Sequence, residues 1–76
     1  MNNTRRQALR EIQEQIEILA EALDALKDEE EEYRDNMPEN LQGGERYEKA
    51  EEAISNLEDA ISNLEDASSS IEAATE

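Results

Sequence analysis

The apolar positions of this chain fall into a seven-residue frame in two separate runs. Leu9, Ile12, Ile16, Leu19, Leu23 and Leu26 alternate spacings of three and four, and the register continues through Glu30, Tyr33 and Met37. The second run is Tyr47, Ala50, Ile54, Leu57, Ile61, Leu64, Ser68 and Ile71. Such spacings keep a stripe on one side of an α-helix, and a sustained seven-residue repeat marks helices that pack along their length. In the second run the repeat is literal. Residues 54–60 read Ile-Ser-Asn-Leu-Glu-Asp-Ala, residues 61–67 read the same, and the units 47–53 and 68–74 keep the layout.

Between the runs lie the only proline, Pro38, and both glycines, Gly43 and Gly44. Proline cannot continue a helix and pushes the preceding residue, Met37, out of the α region. The glycines offer the permissive backbone that a reversal uses. The pattern predicts an all-α chain, residues 1–76 forming a single hairpin: helix 1 over about 4–36, a loop over about 37–44, helix 2 over about 45–75. At ~1.5 Å per residue the two helices match in length, at about 45–50 Å each, as an antiparallel two-helix coiled-coil hairpin requires. With the turn near residue 40, facing positions have numbers that sum to about 80. This pairs Tyr33 with Tyr47, Leu26 with Ile54, Leu23 with Leu57, Leu19 with Ile61, Ile16 with Leu64 and Leu9 with Ile71.

Naming the frame with Leu9 and Tyr47 at position a and Ile12 and Ala50 at d, the flanks of the stripe differ in kind. In helix 2 the e column is acidic throughout (Glu51, Glu58, Glu65, Glu72), and the f column begins Glu52, Asp59, Asp66. These residues make an acidic ridge that repeats every ~10.5 Å. A second acidic block, Asp28, Glu29, Glu30, Glu31, Glu32 and Asp35, ends helix 1. The g column of helix 2 is alanine: Ala53, Ala60, Ala67 and Ala74. In antiparallel pairing e flanks e and g flanks g, so Lys27 and Arg34 are expected beside Glu51 and Glu58. Glu30 interrupts the apolar column opposite Ala50, and Ser68 does so opposite Ile12.

Only 36% of 76 residues are hydrophobic. One stripe per helix makes a thin core, since small domains hide a low fraction of their surface. Self-association is therefore expected, through Ile18, Ala22 and Ala25 of helix 1 and Ala53, Ala60 and Ala67 of helix 2, giving a homodimeric four-helix bundle. No apolar stretch reaches the ~20 residues of a membrane span, and no secretory pattern is visible; a cytoplasmic protein is expected.

Seven basic against 22 acidic residues leave a net charge of −15. That field disfavours direct contact with nucleic acid phosphates or an anionic membrane surface. The basic end, Arg5, Arg6 and Arg10, is expected to balance Glu11 and Glu14 at helical spacings. Catalytic means are few, since the chain holds no His, Cys or Trp. Its glycine pair is neither preceded by a strand nor followed by the Lys-Ser or Lys-Thr of a phosphate cradle. Carboxylates abound, but an acid–base pair needs an environment that separates two pKa values, and a hairpin offers no enclosed cleft. Di-iron bundles place Glu-x-x-His inward, and no histidine is available. No enzyme, no cofactor and no specific metal site are expected.

The stretch 33–53, Tyr-Arg-Asp-Asn-Met-Pro-Glu-Asn-Leu-Gln-Gly-Gly-Glu-Arg-Tyr-Glu-Lys-Ala-Glu-Glu-Ala, followed by the Ile-x-x-Leu-Glu-x-Ala units, resembles a group of short acidic proteins encoded by phages and prophages of Gram-positive bacteria. The resemblance covers about residues 26–74. The chain departs from that pattern at Gly44, where serine would cap the helix better, and at Ser68, where the repeat would have Ile. The resemblance implies a phage-like origin and a protein-binding role, and it carries no reaction. Two functions follow. One is a nucleic-acid mimic, akin to anti-CRISPR inhibitors, that covers the basic surface of a host protein such as a nuclease. It would use Glu51, Glu52, Glu58, Asp59, Glu65, Asp66, Asp28, Glu29, Glu31 and Glu32. The other is a structural or adaptor coiled coil that acts by oligomerisation or helix–helix binding.

Overall fold

The computed structural model describes all residues, Met1–Glu76. It contains α1 (Asn3–Asp35), a short 3-10 turn (Glu39–Leu41) and α2 (Glu45–Thr75), with the two long helices packed side by side in a rod of 60 × 14 × 12 Å. Asn2 caps α1, its side-chain oxygen accepting from the Arg5 N–H at 2.8 Å. That bond satisfies one of the amides a helix start leaves without a partner. Asn36 ends α1, and Pro38 bars its continuation. The chain then reverses through a chain of short backbone bonds: Leu41 N–H to Pro38 O, Gln42 N–H to Glu39 O and Gly44 N–H to Leu41 O.

The glycines work differently from the sequence expectation. Neither has a positive φ, so the reversal does not rest on left-handed backbone. Gly44 matters for space: a Cβ there would sit 3.2 Å from the Leu41 carbonyl oxygen, whereas one at Gly43 would meet nothing within 4 Å. Gly44 takes the N-cap place of α2 with no side-chain bond, and the acids Glu45 and Glu48 in the first turn complement the helix dipole instead.

The seam is where sequence and structure part. Only Ala50 and Ile54 are fully buried, at 3% and 5% exposure. In α2 the half-buried positions are the expected a and d residues, joined by Ala53 and Ala60. In α1 they are Leu9, Ile16, Leu23 and Glu30 of the a column, Arg6, Gln13, Ala20, Lys27 and Arg34 of the e column, and Glu31; Met37, just past the helix, continues the a column. The d column is turned out: Ile12, Leu19, Leu26 and Tyr33 are about half exposed. The half-exposed Leu19, Leu26 and Tyr33 leave the places expected of them opposite Ile61, Ile54 and Tyr47, and e-column residues approach α2 instead. Arg6 reaches Thr75 and Gln13 reaches Ser68, pairs whose numbers sum to 81. The same register sets Ala20 beside Ile61 and Lys27 opposite Ile54.

The rotation has a physical basis. Arg6 Nε donates to the Thr75 carbonyl at 3.1 Å, placing a cation where the C-terminus of α2 leaves carbonyls unpaired. Gln13 Nε2 donates to Ser68 O at 3.2 Å and to Glu72 Oε2 at 2.9 Å. No leucine or isoleucine can make these bonds. Lys27 and Arg34 are half-buried along α2 with their charged heads paired to acids of α1, and Ala20 lets the helices approach.

Candidate interaction surfaces

The acidic ridge of α2 is solvent-facing along its whole length. Glu51, Glu52, Glu58, Asp59, Glu65 and Asp66 are all exposed, and none takes part in any of the five ion pairs of the chain. Every ion pair joins residues of one helix: Lys27 with Asp24 (3.4 Å), Asp28 (3.9 Å) and Glu31 (3.8 Å), Arg34 with Asp35 (3.0 Å) and Lys49 with Glu45 (3.1 Å). The expected bridges from Lys27 and Arg34 to the Glu51–Glu58 flank do not form. Lys27 finds Asp24 and Glu31 at three- and four-residue spacings on α1 instead, and Arg34 pairs with the adjacent Asp35.

The charges leave their mark on the cations. Lys27 has its pKa raised, chiefly by the Asp24 contact, against an opposing desolvation and with help from Glu31 and Asp28. Arg34 is raised too, first by its bond to Asp35, with smaller electrostatic help from Tyr47 and Glu51. At the loop end of α1 the acidic block divides: Asp28 and Glu31 share Lys27, while Glu29 and Glu32 are exposed and unpaired. Glu30 is half-buried above Ala50 and makes no hydrogen bond or ion pair, as expected of a side chain reaching past a small residue to water. The basic end does not pair with Glu11 and Glu14. Arg6 donates instead to Asn3 Oδ1 and Thr75 O.

The predicted self-association set also divides. Ile18 is 65% exposed, and Ala22, Ala25 and Ala67 are exposed beside no partner helix. Ala53 and Ala60 are half-buried along α1. The largest unpartnered apolar feature is the α1 d column, which the two-stripe reading of the sequence had assigned to the seam. One signal could have found it. In the middle of α1 the a, d, g and c columns are all free of charge, an apolar arc wider than one partner helix covers.

Near the turn, Tyr33, Met37, Pro38 and Leu41 line an open notch of about 460 Å³, closed on one side by Gly44 and Arg46. No group of three acidic side chains is placed to hold a metal ion, and no helix is long and apolar enough to cross a membrane. The surface can offer negative charge on α2, alanine and leucine on α1, and little reactive chemistry. No family, curated protein or solved structure matches this chain.

Proposed function

We propose that the protein is a non-catalytic acidic interaction module that covers the basic, nucleic-acid-binding surface of a host protein. The observation that carries this reading is the ridge of six exposed carboxylates on α2 with no cation near enough to pair. A negative field that the chain leaves uncompensated steers a basic surface toward it and competes there with phosphates. The resemblance of the loop region to phage-encoded acidic proteins supports a partner in a bacterial cytoplasm, with a nuclease as the kind of protein whose inhibition would serve a phage. The module acts as a homodimer of hairpins, a four-helix bundle whose acidic ridges face outward.

The test is capture from bacterial lysate at low and moderate salt, with the captured protein then challenged by double-stranded DNA. A nucleic-acid-binding protein released both by salt and by DNA supports the reading. Partners indifferent to both overturn it. A second reading, an adaptor coiled coil, is favoured by a different observation: the outward-turned leucines of α1. It predicts helix–helix binding that survives salt, because apolar contact is not screened.

A further inference from the structure

The α1 d column and the absence of a real core belong together. With two residues fully buried, the hairpin leaves seven large apolar side chains about half exposed or more. Exposure reaches 46% at Ile12, 56% at Leu19, 55% at Leu26 and 50% at Tyr33. These four recur every seven residues, so they form one straight stripe along α1 rather than scattered apolar residues. Ala22 lies between the inner two, and Ile18 and Ala25 widen the face there. The charged residues of this stretch, Glu14, Glu17, Glu21 and Asp24, occupy the b and f columns, away from the stripe.

We infer that the stripe is the seam of a symmetric dimer in which α1 lies antiparallel on α1 of a second copy, centred near Ala22. This rests on the dimer reading above and specifies its surface. Two observations select the occupant and its direction. The stripe is its own complement when reversed: Ile12 meets the partner's Tyr33 and Leu19 meets the partner's Leu26, as an isologous two-fold contact requires. The charge distribution favours reversal. Parallel pairing would set Glu29 and Glu32 against the same acids of the second copy, whereas antiparallel pairing sets them near the partner's Gln15 and Ile12 and brings Arg5 toward the partner's acidic turn. The acidic ridge of α2 borders the e-flank, where Gln13 meets Glu72, so it stays open to other proteins.

The chain has no cysteine, so disulfide trapping reads the arrangement directly. Gln15 and Glu29 flank the stripe as exposed polar residues on either side of Ala22. Under mild oxidation, Gln15→Cys mixed with Glu29→Cys should give the crossed disulfide dimer, while each alone stays uncrosslinked, and Ala22→Cys should link to itself. Sedimentation equilibrium of the parent at tens of micromolar should give a dimer, and Leu19→Glu with Leu26→Glu should lose it. A monomeric parent overturns the dimer reading itself. A dimer that links Gln15→Cys to its own kind, fails to form the crossed pair, or survives the double glutamate substitution overturns the α1 seam alone. The cysteine arms remain decisive if the glutamate variant unfolds.

Discussion

Ile54 is the one large side chain that the hairpin hides almost completely, at 5% exposure. Ile18, on the same kind of helix surface, is 65% exposed. Truncating each to alanine therefore isolates burial from chemistry. Ile54→Ala removes three carbon groups, about 2.4 kcal/mol of transfer free energy at ~0.8 kcal/mol each. A residual cavity at this buried position raises the expected cost to about 3 kcal/mol. For a chain this size total stability is ~4–11 kcal/mol, and the thin core puts it at the low end. The variant should consequently keep only about 1 kcal/mol, with roughly one molecule in six unfolded at room temperature. Ile18→Ala should change stability by no more than ~0.5 kcal/mol, because alanine is the better helix former and little contact is lost. Urea titrations followed by far-UV circular dichroism, at dilutions that suppress association, measure both. Equal midpoints for Ile54→Ala and the parent, or a larger loss for Ile18→Ala than for Ile54→Ala, would refute the assignment of the core.

Three further outcomes are expected. Replacing Glu51, Glu58 and Glu65 with Gln and Asp59 and Asp66 with Asn should keep or raise helicity, by relieving like-charge repulsion, while abolishing salt-sensitive partner capture; undiminished capture removes the ridge from the binding surface. Gly43→Ala should stabilise the chain by ~0.4–1 kcal/mol, since its backbone suits an L-residue and its Cβ meets open space; calorimetry showing a lower Tm would contradict the turn geometry. Lys27 has a raised pKa in the fold, so its contribution is fully present below its ordinary value near 10.4 and is lost as pH climbs through the raised one; a Lys27→Met variant should lack that alkaline loss of stability in urea midpoints.

Much of the fold is legible in the chain. Three-and-four spacing dictates helices because only a helical period puts Leu9, Ile16 and Leu23, or Ile54, Ile61 and Leu64, on one side. Pro38 stops one helix and a short segment without apolar periodicity separates it from the next, so two helices of similar length fold back on each other. The outward acidic ridge is equally legible, since the e column is glutamate throughout and the f column is acidic up to Ala73.

What the sequence by itself could not decide is which face of α1 turns inward. The a column is common to both arrangements; the choice lies between d, rich in leucine, and e, rich in long polar stems. Periodicity favours d, because it weighs only hydrophobicity. The tertiary structure chose e, since Arg6 and Gln13 find acceptors on α2 at Thr75, Ser68 and Glu72 that exist only once the helices are paired. Such contacts depend on distances between residues more than fifty positions apart, and no local pattern encodes them. The same choice sets Ile12, Leu19, Leu26 and Tyr33 on the outside, so the surface available for association was a consequence of packing rather than of the repeat.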